Sequence, residues 1–285
     1  MKTYLLTSIA ASLAAGRATL DVYHSDFEVQ YKADDSPLTL ADRRSHAIIA
    51  SGLAAFKLPV LSEEGVDIPF SERRAWQLFW LVDPLDGTKE FVKRNGEFTV
   101  NIALVEGRRP IMGVIYVPVL DVLYFGARGM GAFRIDSASK VPLPIESQPG
   151  LRADGIVDGL LAQAVRLPGA TSPPVYTVIG SRSHRGPDLG AYIENLRRQY
   201  GEIQYLSAGS SLKFCRVAEG AADIYPRLAP TMEWDTAAGQ AVVEGAGFQV
   251  VRYDNHEPLR YNKENLLNPW FIVESGIHGK RQVTR

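Results

Sequence analysis

Short segments rich in β-forming residues follow one another closely between residues 77 and 135, separated by Gly, Arg and Pro. They cover residues 77–82, 98–106, 110–117, 122–125 and 131–135. The pattern therefore predicts an antiparallel meander in this part of the chain.

The second half of the chain alternates between predicted strands and predicted helices. Strands are expected at 175–180, 202–206, 222–225, 248–252 and 270–273, and helices at 187–200, 210–219 and 236–244. Strands separated by helices are typical of an α/β domain. Residues 136–174 are rich in Pro, Ser, Gly and Ala, with one weak helical patch at 160–165. We therefore predict an N-terminal α+β domain at 1–140 and a C-terminal α/β domain at 141–285.

Two helices are expected before the meander. The apolar stripe of the first consists of Leu6, Ile9, Leu13 and Leu20, with Ser8, Ser12 and Arg17 off the stripe. This spacing predicts an amphipathic helix packed on a core, although the same stretch has some features of a weak export signal. The second helix is expected to begin at Thr39, where Asp42 completes a capping box, and to end before Pro59.

Composition limits the classes of partner. The chain has 285 residues, with 31 Lys and Arg against 32 Asp and Glu, so its formal net charge of -1 provides no global attraction to nucleic acid polymers. Its single cysteine excludes an internal disulfide and favours a reducing compartment, which we interpret as the cytoplasm. An integral membrane span is not expected, because no apolar run approaches about 18 residues. Peripheral contact with the inner membrane and a homodimer are left open.

The most informative segment follows the first strand of the meander. Asp83 and Asp86 lie three residues apart, with Pro84 forcing an irregular backbone and Gly87 allowing the chain to turn. Such a turn leaves main-chain carbonyl groups available to other partners. Two carboxylates and a main-chain oxygen on one loop are ligands that a hard divalent cation such as Mg²⁺ prefers.

Two distant segments supply further carboxylates. Glu63 and Glu64 follow a short apolar segment, and Asp235 stands at the start of the helix predicted at 236–244. Taken singly, each of these residues is more often a helix cap or a solvated surface acid. Together with the 83–86 loop, they predict a carboxylate cluster assembled from separated parts of the chain.

At these residues the sequence resembles a known family. Residues 83–88, DPLDGT, resemble the DPxDGT signature of the lithium-sensitive, magnesium-dependent phosphatases that include inositol monophosphatase. Residues 234–239, WDTAAG, resemble their second signature, and residues 62–64 resemble their acidic metal-binding segment. Longer segments, at 83–103, 209–215 and 225–227, are similar to the CysQ branch, the 3'(2'),5'-bisphosphate nucleotidases. The resemblance implies the layered αβαβα sandwich of the inositol monophosphatase/fructose bisphosphatase type.

The resemblance also implies a set of metal ligands. One Mg²⁺ would bind Glu63, Asp83 and the carbonyl oxygen of Leu85. A second would bind Asp83, Asp86 and Asp235, and two or three Mg²⁺ are expected in each active site. Two cations close together can hold phosphate oxygens and stabilise charge on the leaving oxygen.

Catalytic roles follow from the same resemblance. Thr88 is expected to orient the attacking water, with Glu63 and Asp42 completing the hydrogen bonds of that water. No covalent intermediate is implied.

Substrate contacts are expected from several loops. The residues implied are Gly87, Thr88, Ser181, Arg182, His184, Gly209, Ser210, Arg227 and Asp235. Arg227 stands where inositol monophosphatases have a glutamate that binds inositol hydroxyls, and a guanidinium there favours a second phosphate. His184 is equally consistent with an ordinary surface histidine. Lys213 lies within a predicted helix, where a solvated face is the default, so we leave it out of the site.

The residues and the resemblance together predict an enzyme. The expected reaction is hydrolysis of the 3'-phosphate of adenosine 3',5'-bisphosphate to AMP and phosphate by a metal-activated water, in sulfur metabolism and sensitive to Li⁺. One alternative is an inositol monophosphatase or broad sugar phosphatase. The other, from a different class, is a non-catalytic regulatory protein that binds a phosphorylated ligand.

Overall fold

A computed structural model describes residues 1–31, 37–142, 153–169, 173–182 and 186–274. The helices are α1 (Lys2–Tyr23), α2 (Leu40–Leu53), α3 (Phe70–Arg73), α4 (Thr88–Val92), α5 (Ala153–Gln163), α6 (Pro187–Tyr200), α7 (Leu212–Glu219) and α8 (Glu233–Gly245). The strands of the first half are β1 (Gln30–Tyr31), β2 (Pro37–Leu38), β3 (Val60–Ser62), β4 (Leu78–Asp86), β5 (Thr99–Glu106), β6 (Arg109–Val117), β7 (Val122–Ala127) and β8 (Gly131–Asp136). The later strands are β9 (Val165–Arg166), β10 (Tyr176–Gly180), β11 (Ile203–Ser207), β12 (Ile224–Arg227), β13 (Gln249–Arg252) and β14 (Phe271–Glu274).

Strands β3 to β9 form a seven-stranded sheet in chain order within the described residues. Strand β3 pairs parallel to β4, and the pairs from β4 to β9 are antiparallel. The predicted meander is confirmed, with strand ends shifted by a few residues. A second sheet of five strands has the order β11-β10-β12-β14-β13 and is mixed, because β10 and its two neighbours are parallel while β14 is antiparallel to β12 and β13.

Helices and sheets alternate in five layers. One core joins α1, α2 and α5 to one face of the seven-stranded sheet, through residues such as Ile9, Ile49 and Val157. A second core fills the space between the two sheets, where α7 and α8 lie. A third core joins the outer face of the five-stranded sheet to α6 through Leu196. The layered αβαβα fold expected from the sequence is therefore confirmed.

Helix α8 approaches the seven-stranded sheet closely at a glycine of β6. A Cβ atom on Gly113 would clash with the carbonyl group of Ala238, and would lie 2.9 Å from its Cα atom. Only a residue without a side chain lets the helix backbone reach the sheet here. This contact fixes the position of the helix whose first turn carries Asp235.

The buried face of helix α1 is wider than the apolar stripe predicted from the sequence. Ser8 and Ser12 are fully buried, whereas Leu6 and Leu20 are only half-buried. The expectation that both serines lie off the buried face was wrong, because α1 packs against both α2 and the sheet. The Ser12 hydroxyl is accommodated there by donating to the Ile9 carbonyl oxygen at 2.9 Å.

Two other helices differ from their predicted limits. Helix α2 begins after Thr39 with the expected capping box, but it ends at Leu53, and a short 3₁₀ turn replaces its last residues. The weak helical patch predicted at 160–165 was misplaced, since α5 runs from Ala153 to Gln163. Gly155 and Gly159 weaken the helical signal, but packing of the helix on the sheet outweighs that local preference.

The predicted domain boundary near residue 140 stays a prediction. Strand β9, which lies beyond that boundary, pairs with β8 and so completes the seven-stranded sheet.

Among the described residues, no helix combines the length and apolar character that a membrane span requires.

Replacing Gly113 with Ala should destabilise the protein by about 3 kcal/mol, because the new methyl group pushes α8 away from β6. Gly159→Ala is the matched control, since Gly159 lies on the exposed face of helix α5 and a Cβ atom there meets nothing within 4 Å. The control should stabilise the protein by about 0.5–1 kcal/mol. Urea unfolding would measure both free energies, and equal effects of the two variants would contradict the close packing.

Candidate active site

The end of β4 departs from a regular strand. Asp83 pairs with Asn101 and Asp86 pairs with Thr99, with a register shift between the two pairs. The sequence pattern ended this strand at Asp83, whereas the chain continues through the irregularity to Asp86. Such a bulge redirects side chains that would otherwise alternate between the two faces of the sheet.

Hydrogen bonds fix the irregular backbone. The carbonyl oxygen of Pro84 accepts from the Ser45 hydroxyl at 2.6 Å, and the Leu85 N–H donates to Asp83 Oδ1 at 3.1 Å. Gly87 follows with a φ of 91°, a conformation that glycine adopts without strain, and α4 begins at Thr88. These contacts within the protein therefore restrain the shape of the loop.

Three carboxylates from separate segments meet beside this loop. Strand β3 lies parallel to β4. Glu63 directly follows β3, and its N–H donates to the Val82 carbonyl oxygen at 3.2 Å. Asp235 enters from the first turn of α8, where its Oδ2 accepts from the Met232 N–H at 2.9 Å. Carboxylate oxygens of Glu63, Asp83 and Asp235 lie within 4.8 Å of one another. The predicted convergence of these three residues is present in the structure.

The electrostatics of this group favour a cation. Burial raises the pKa of Asp83 well above its usual value, and the nearby carboxylates of Glu63, Asp86 and Asp235 raise it further. Burial also raises the pKa of Asp235, with further contributions from Asp86 and Glu63. An all-oxygen, anionic donor set of this kind fits a hard divalent cation. Glu63, Asp83 and Asp235 are the residues that would hold it.

Asp86 lies next to this group but is held by other contacts. Its Oδ2 accepts from the Ser210 and Ser211 hydroxyls, both at 2.8 Å, and from the Asn101 amide at 3.4 Å. The sequence patterns indicated no contact of Asn101 or Ser211 with Asp86, because short polar residues on a strand and at a helix start carry no signal of their partner. The assignments of Asp86 and of the Leu85 carbonyl oxygen to magnesium stay predictions.

Thr88 and Asp42 come together as the predicted catalytic grouping requires. Thr88 Oγ1 lies 3.3 Å from Asp42 Oδ1 and 3.3 Å from the Leu85 carbonyl oxygen. The other carboxylate oxygen, Asp42 Oδ2, caps α2 by accepting from the N–H and hydroxyl of Thr39. Burial raises the pKa of Asp42. Asp42 thus caps α2 with one carboxylate oxygen and contacts Thr88, just after the 83–86 loop, with the other.

A cavity of about 120 Å³ opens beside Asp86 and Asp235. Of the substrate contacts predicted from sequence, the cavity is lined by Gly87, Ser181, Gly209, Ser210, Arg227 and Asp235. Thr88 and Arg182 are not part of this lining, and Arg182 instead forms an ion pair with Glu97 at 2.6 Å. His184 lies outside the described residues.

Lys213 corrects the sequence-based expectation of a solvated side chain. It is only 6% exposed, its Nζ donates to the Ser210 carbonyl oxygen at 2.5 Å, and the side chain lines the same cavity. Burial lowers its pKa to about 8. Helix α7 lies between the two sheets, so little of its surface faces solvent, and helical periodicity alone could not reveal that.

Arg227 supplies a second cationic group to the cavity. Its Nη2 donates to the Pro230 carbonyl oxygen at 2.9 Å, whereas its buried Nε has no hydrogen-bond partner among the described residues. A buried donor without a partner is costly, and an oxygen of an anionic ligand would satisfy it. The cavity therefore combines a carboxylate wall with two cations.

Comparison with known proteins agrees with this arrangement. A family model described as "Inositol monophosphatase family" matches residues 1–281. The chain belongs to the inositol monophosphatase family. Enzymes of this family depend on metal, and the carboxylate group described above is where this member could bind it.

Relatives within the inositol monophosphatase family include proteins named 3'(2'),5'-bisphosphate nucleotidase CysQ. The one from Salmonella typhimurium strain LT2 is 45% identical over 265 residues, covering 91% of this chain and 94% of its own. The one from Buchnera aphidicola is 41% identical, covering 93% of this chain and 89% of its own.

Solved structures of the inositol monophosphatase family share the fold. The crystal structure of CysQ from Bacteroides thetaiotaomicron superposes with a TM-score of 0.85 at 47% identity, covering 96% of this chain and 97% of that one. The inositol monophosphatase of Thermotoga maritima gives 0.70 at 22% identity, over 98% and 94%, which supports the fold alone. The family resemblance expected from the sequence is confirmed.

In this family member, Asp83→Asn should remove metal binding and also stabilise the metal-free protein. The amide keeps the oxygen that accepts from the Leu85 N–H but eliminates a buried negative charge beside Glu63 and Asp235. We expect the metal-free unfolding midpoint to rise by about 2–4 °C, as relief of about 1 kcal/mol would give. Added Mg²⁺ should raise the midpoint of the wild type but not that of the variant, measured by scanning calorimetry. A variant that Mg²⁺ still stabilises would contradict this account of the site.

Proposed function

We propose that this inositol monophosphatase family member is a magnesium-dependent 3'(2'),5'-bisphosphate nucleotidase. Its substrate is adenosine 3',5'-bisphosphate, from which it removes the 3'-phosphate. The observation that carries this proposal is the pairing of an anionic, all-oxygen cation site with a cavity containing Lys213 and Arg227. Relatives of 45% identity over 91% of the chain are named as nucleotidases of this type, which supports the same substrate class.

The cation site and the catalytic pair divide the chemistry between them. Bound magnesium, two or three ions by the proposal, supplies positive charge to phosphate oxygens and makes water a better nucleophile. Glu63, Asp83, Asp86 and Asp235 hold that charge in place. The Thr88 hydroxyl can donate its proton to Asp42 Oδ1 or to the Leu85 carbonyl oxygen, both at 3.3 Å, and its oxygen is then available to accept a hydrogen bond from the attacking water.

The two cations explain a preference for a bisphosphate. Lys213 and Arg227 both line the cavity, and the buried Arg227 Nε has no hydrogen-bond partner among the described residues, so a second anionic group of the substrate would pair with these cations. An inositol monophosphate carries no second anionic group and would leave the buried Arg227 Nε without an acceptor. A ligand with two phosphates therefore satisfies both ends of the site.

A cytoplasmic location is part of this proposal. The single cysteine, Cys215, is buried and unpaired, as expected for a protein of a reducing compartment. Burial raises the pKa of its thiol, so it is not a nucleophile in the proposed reaction.

Phosphate release from adenosine 3',5'-bisphosphate should exceed release from inositol 1-phosphate by at least about 100-fold in kcat/KM, because a charge-assisted contact is worth about 1.5–3 kcal/mol and two are lost. Activity should disappear with chelator and fall with Li⁺. Arg227→Met should reduce kcat/KM for the bisphosphate by about 10-fold or more. A colorimetric phosphate assay tests all of these. Faster turnover of inositol 1-phosphate would overturn the proposed substrate.

The pH dependence of kcat/KM should report Lys213. The ammonium group is present below its pKa of about 8 and is lost as the pH rises through that value, so binding of the second phosphate weakens there. We expect kcat/KM to fall above about pH 8 for the bisphosphate, and Lys213→Met to lower the plateau and remove this limb. Adenosine 3'-monophosphate, which lacks the second phosphate, is the matched control. If the limb persists in Lys213→Met, another group is responsible.

A further inference from the structure

Glu97 joins two segments that are distant from it in sequence. It lies in the turn between α4 and β5, and its Oε1 accepts from Arg182 Nη2 at 2.6 Å. Its Oε2 accepts from the Gly209 N–H at 2.9 Å. The turn itself is fixed because the Asn95 side-chain oxygen accepts from the Glu97 N–H at 3.0 Å. One carboxylate thus connects the end of β10 to the turn that precedes α7.

The Gly209–Ser211 turn has a shape that its own residues do not favour. Ser210 has a φ of 51°, in the left-handed region that a non-glycine residue rarely adopts. Gly209 has no room for a side chain, since a Cβ atom would lie 2.7 Å from Glu90 Cγ and 2.7 Å from the Glu97 carbonyl oxygen. Surrounding contacts must therefore impose this conformation, and the bond from Gly209 to Glu97 is one of them.

The turn delivers two hydroxyl groups to one metal-loop carboxylate. Ser210 Oγ and Ser211 Oγ each lie 2.8 Å from Asp86 Oδ2, and Asn101 Nδ2 supports Ser211 Oγ at 3.0 Å. Ser211 Oγ also lies 3.0 Å from the Asp235 carbonyl oxygen. The hydrogen bonds that Asp86 receives among the described residues reach Oδ2, which leaves Oδ1 as the oxygen that would meet a cation. Hydrogen bonds that orient a ligating carboxylate in this way typically govern metal affinity.

We propose that Glu97 is a positioning residue that acts through the Gly209–Ser211 turn to orient Asp86 for cation binding. Arg182 serves the same purpose by holding Glu97, which explains why it does not line the substrate cavity. The inference rests on the proposed function to the extent that Asp86 counts there as a metal ligand.

Three variants and a control test this role by titration calorimetry with MgCl₂ in the absence of nucleotide. Glu97→Ala removes both contacts and should weaken Mg²⁺ binding about tenfold. Glu97→Gln keeps an oxygen for the Gly209 N–H but loses the charge that pairs with Arg182, so binding should weaken only about threefold, and Arg182→Gln should match it. Glu106→Gln is the control, since Glu106 also pairs with an arginine, Arg128, at 2.8 Å on an exposed surface. It should bind Mg²⁺ as the wild type does.

Kinetics separate a positioning role from substrate contact. The Mg²⁺ concentration that gives the half-maximal rate should rise in Glu97→Ala by the same factor as the dissociation constant, while KM for the nucleotide at saturating Mg²⁺ changes less than twofold. Unchanged Mg²⁺ affinity in Glu97→Ala, or a change confined to KM, would overturn the inference. If Glu97→Ala fails to fold, the comparison of Glu97→Gln with Glu106→Gln decides in the same way. Failure of the proposed function would give a different result. The wild type would then be inactive on the bisphosphate, while the wild type and the variants would keep the same order of Mg²⁺ affinities.

Discussion

Repulsion between converging carboxylates is the constraint on which the site depends. Oxygens of Glu63, Asp83 and Asp235 lie within 4.8 Å of one another, and burial together with their mutual repulsion raises the pKa of Asp83. Such a group is unfavourable in a folded protein unless a cation compensates it. The fold must therefore hold these residues by contacts that do not depend on their charge.

Close packing of backbone provides that restraint. Strand β3 pairs with β4 and so places Glu63 next to the 83–86 loop. The close contact of Gly113 with Ala238 packs α8 on the same sheet, and the first turn of α8 brings Asp235 to this loop. The capping bonds of Asp42 and Asp235 use one oxygen of each carboxylate to begin a helix. Each acid is therefore anchored by the element that carries it, which limits the reorganisation that metal binding would require.

Much of this arrangement could be predicted from the sequence. Strands and helices follow the local patterns closely, and the short motifs around Asp83 and Asp235 identify the family and the carboxylates that meet. Other features depend on packing between distant segments. Burial of Ser8, Ser12 and Lys213 follows from helices that contact other elements on more than one side, which the sequence of one helix does not reveal. The substrate contact of Arg182 is implied by the family resemblance and stays a prediction, whereas its ion pair with Glu97, 85 residues away, has no signal in the local sequence.

The central claim is that these separated carboxylates form one cation site, and anomalous scattering from manganese tests it most directly. Crystals soaked in MnCl₂ should show an anomalous difference peak in direct contact with carboxylate oxygens of Glu63, Asp83 and Asp235. Manganese prefers the same oxygen ligands as magnesium, so the substitution preserves the chemistry under test. Absence of a peak at these residues, with manganese bound elsewhere in the crystal, would contradict the account.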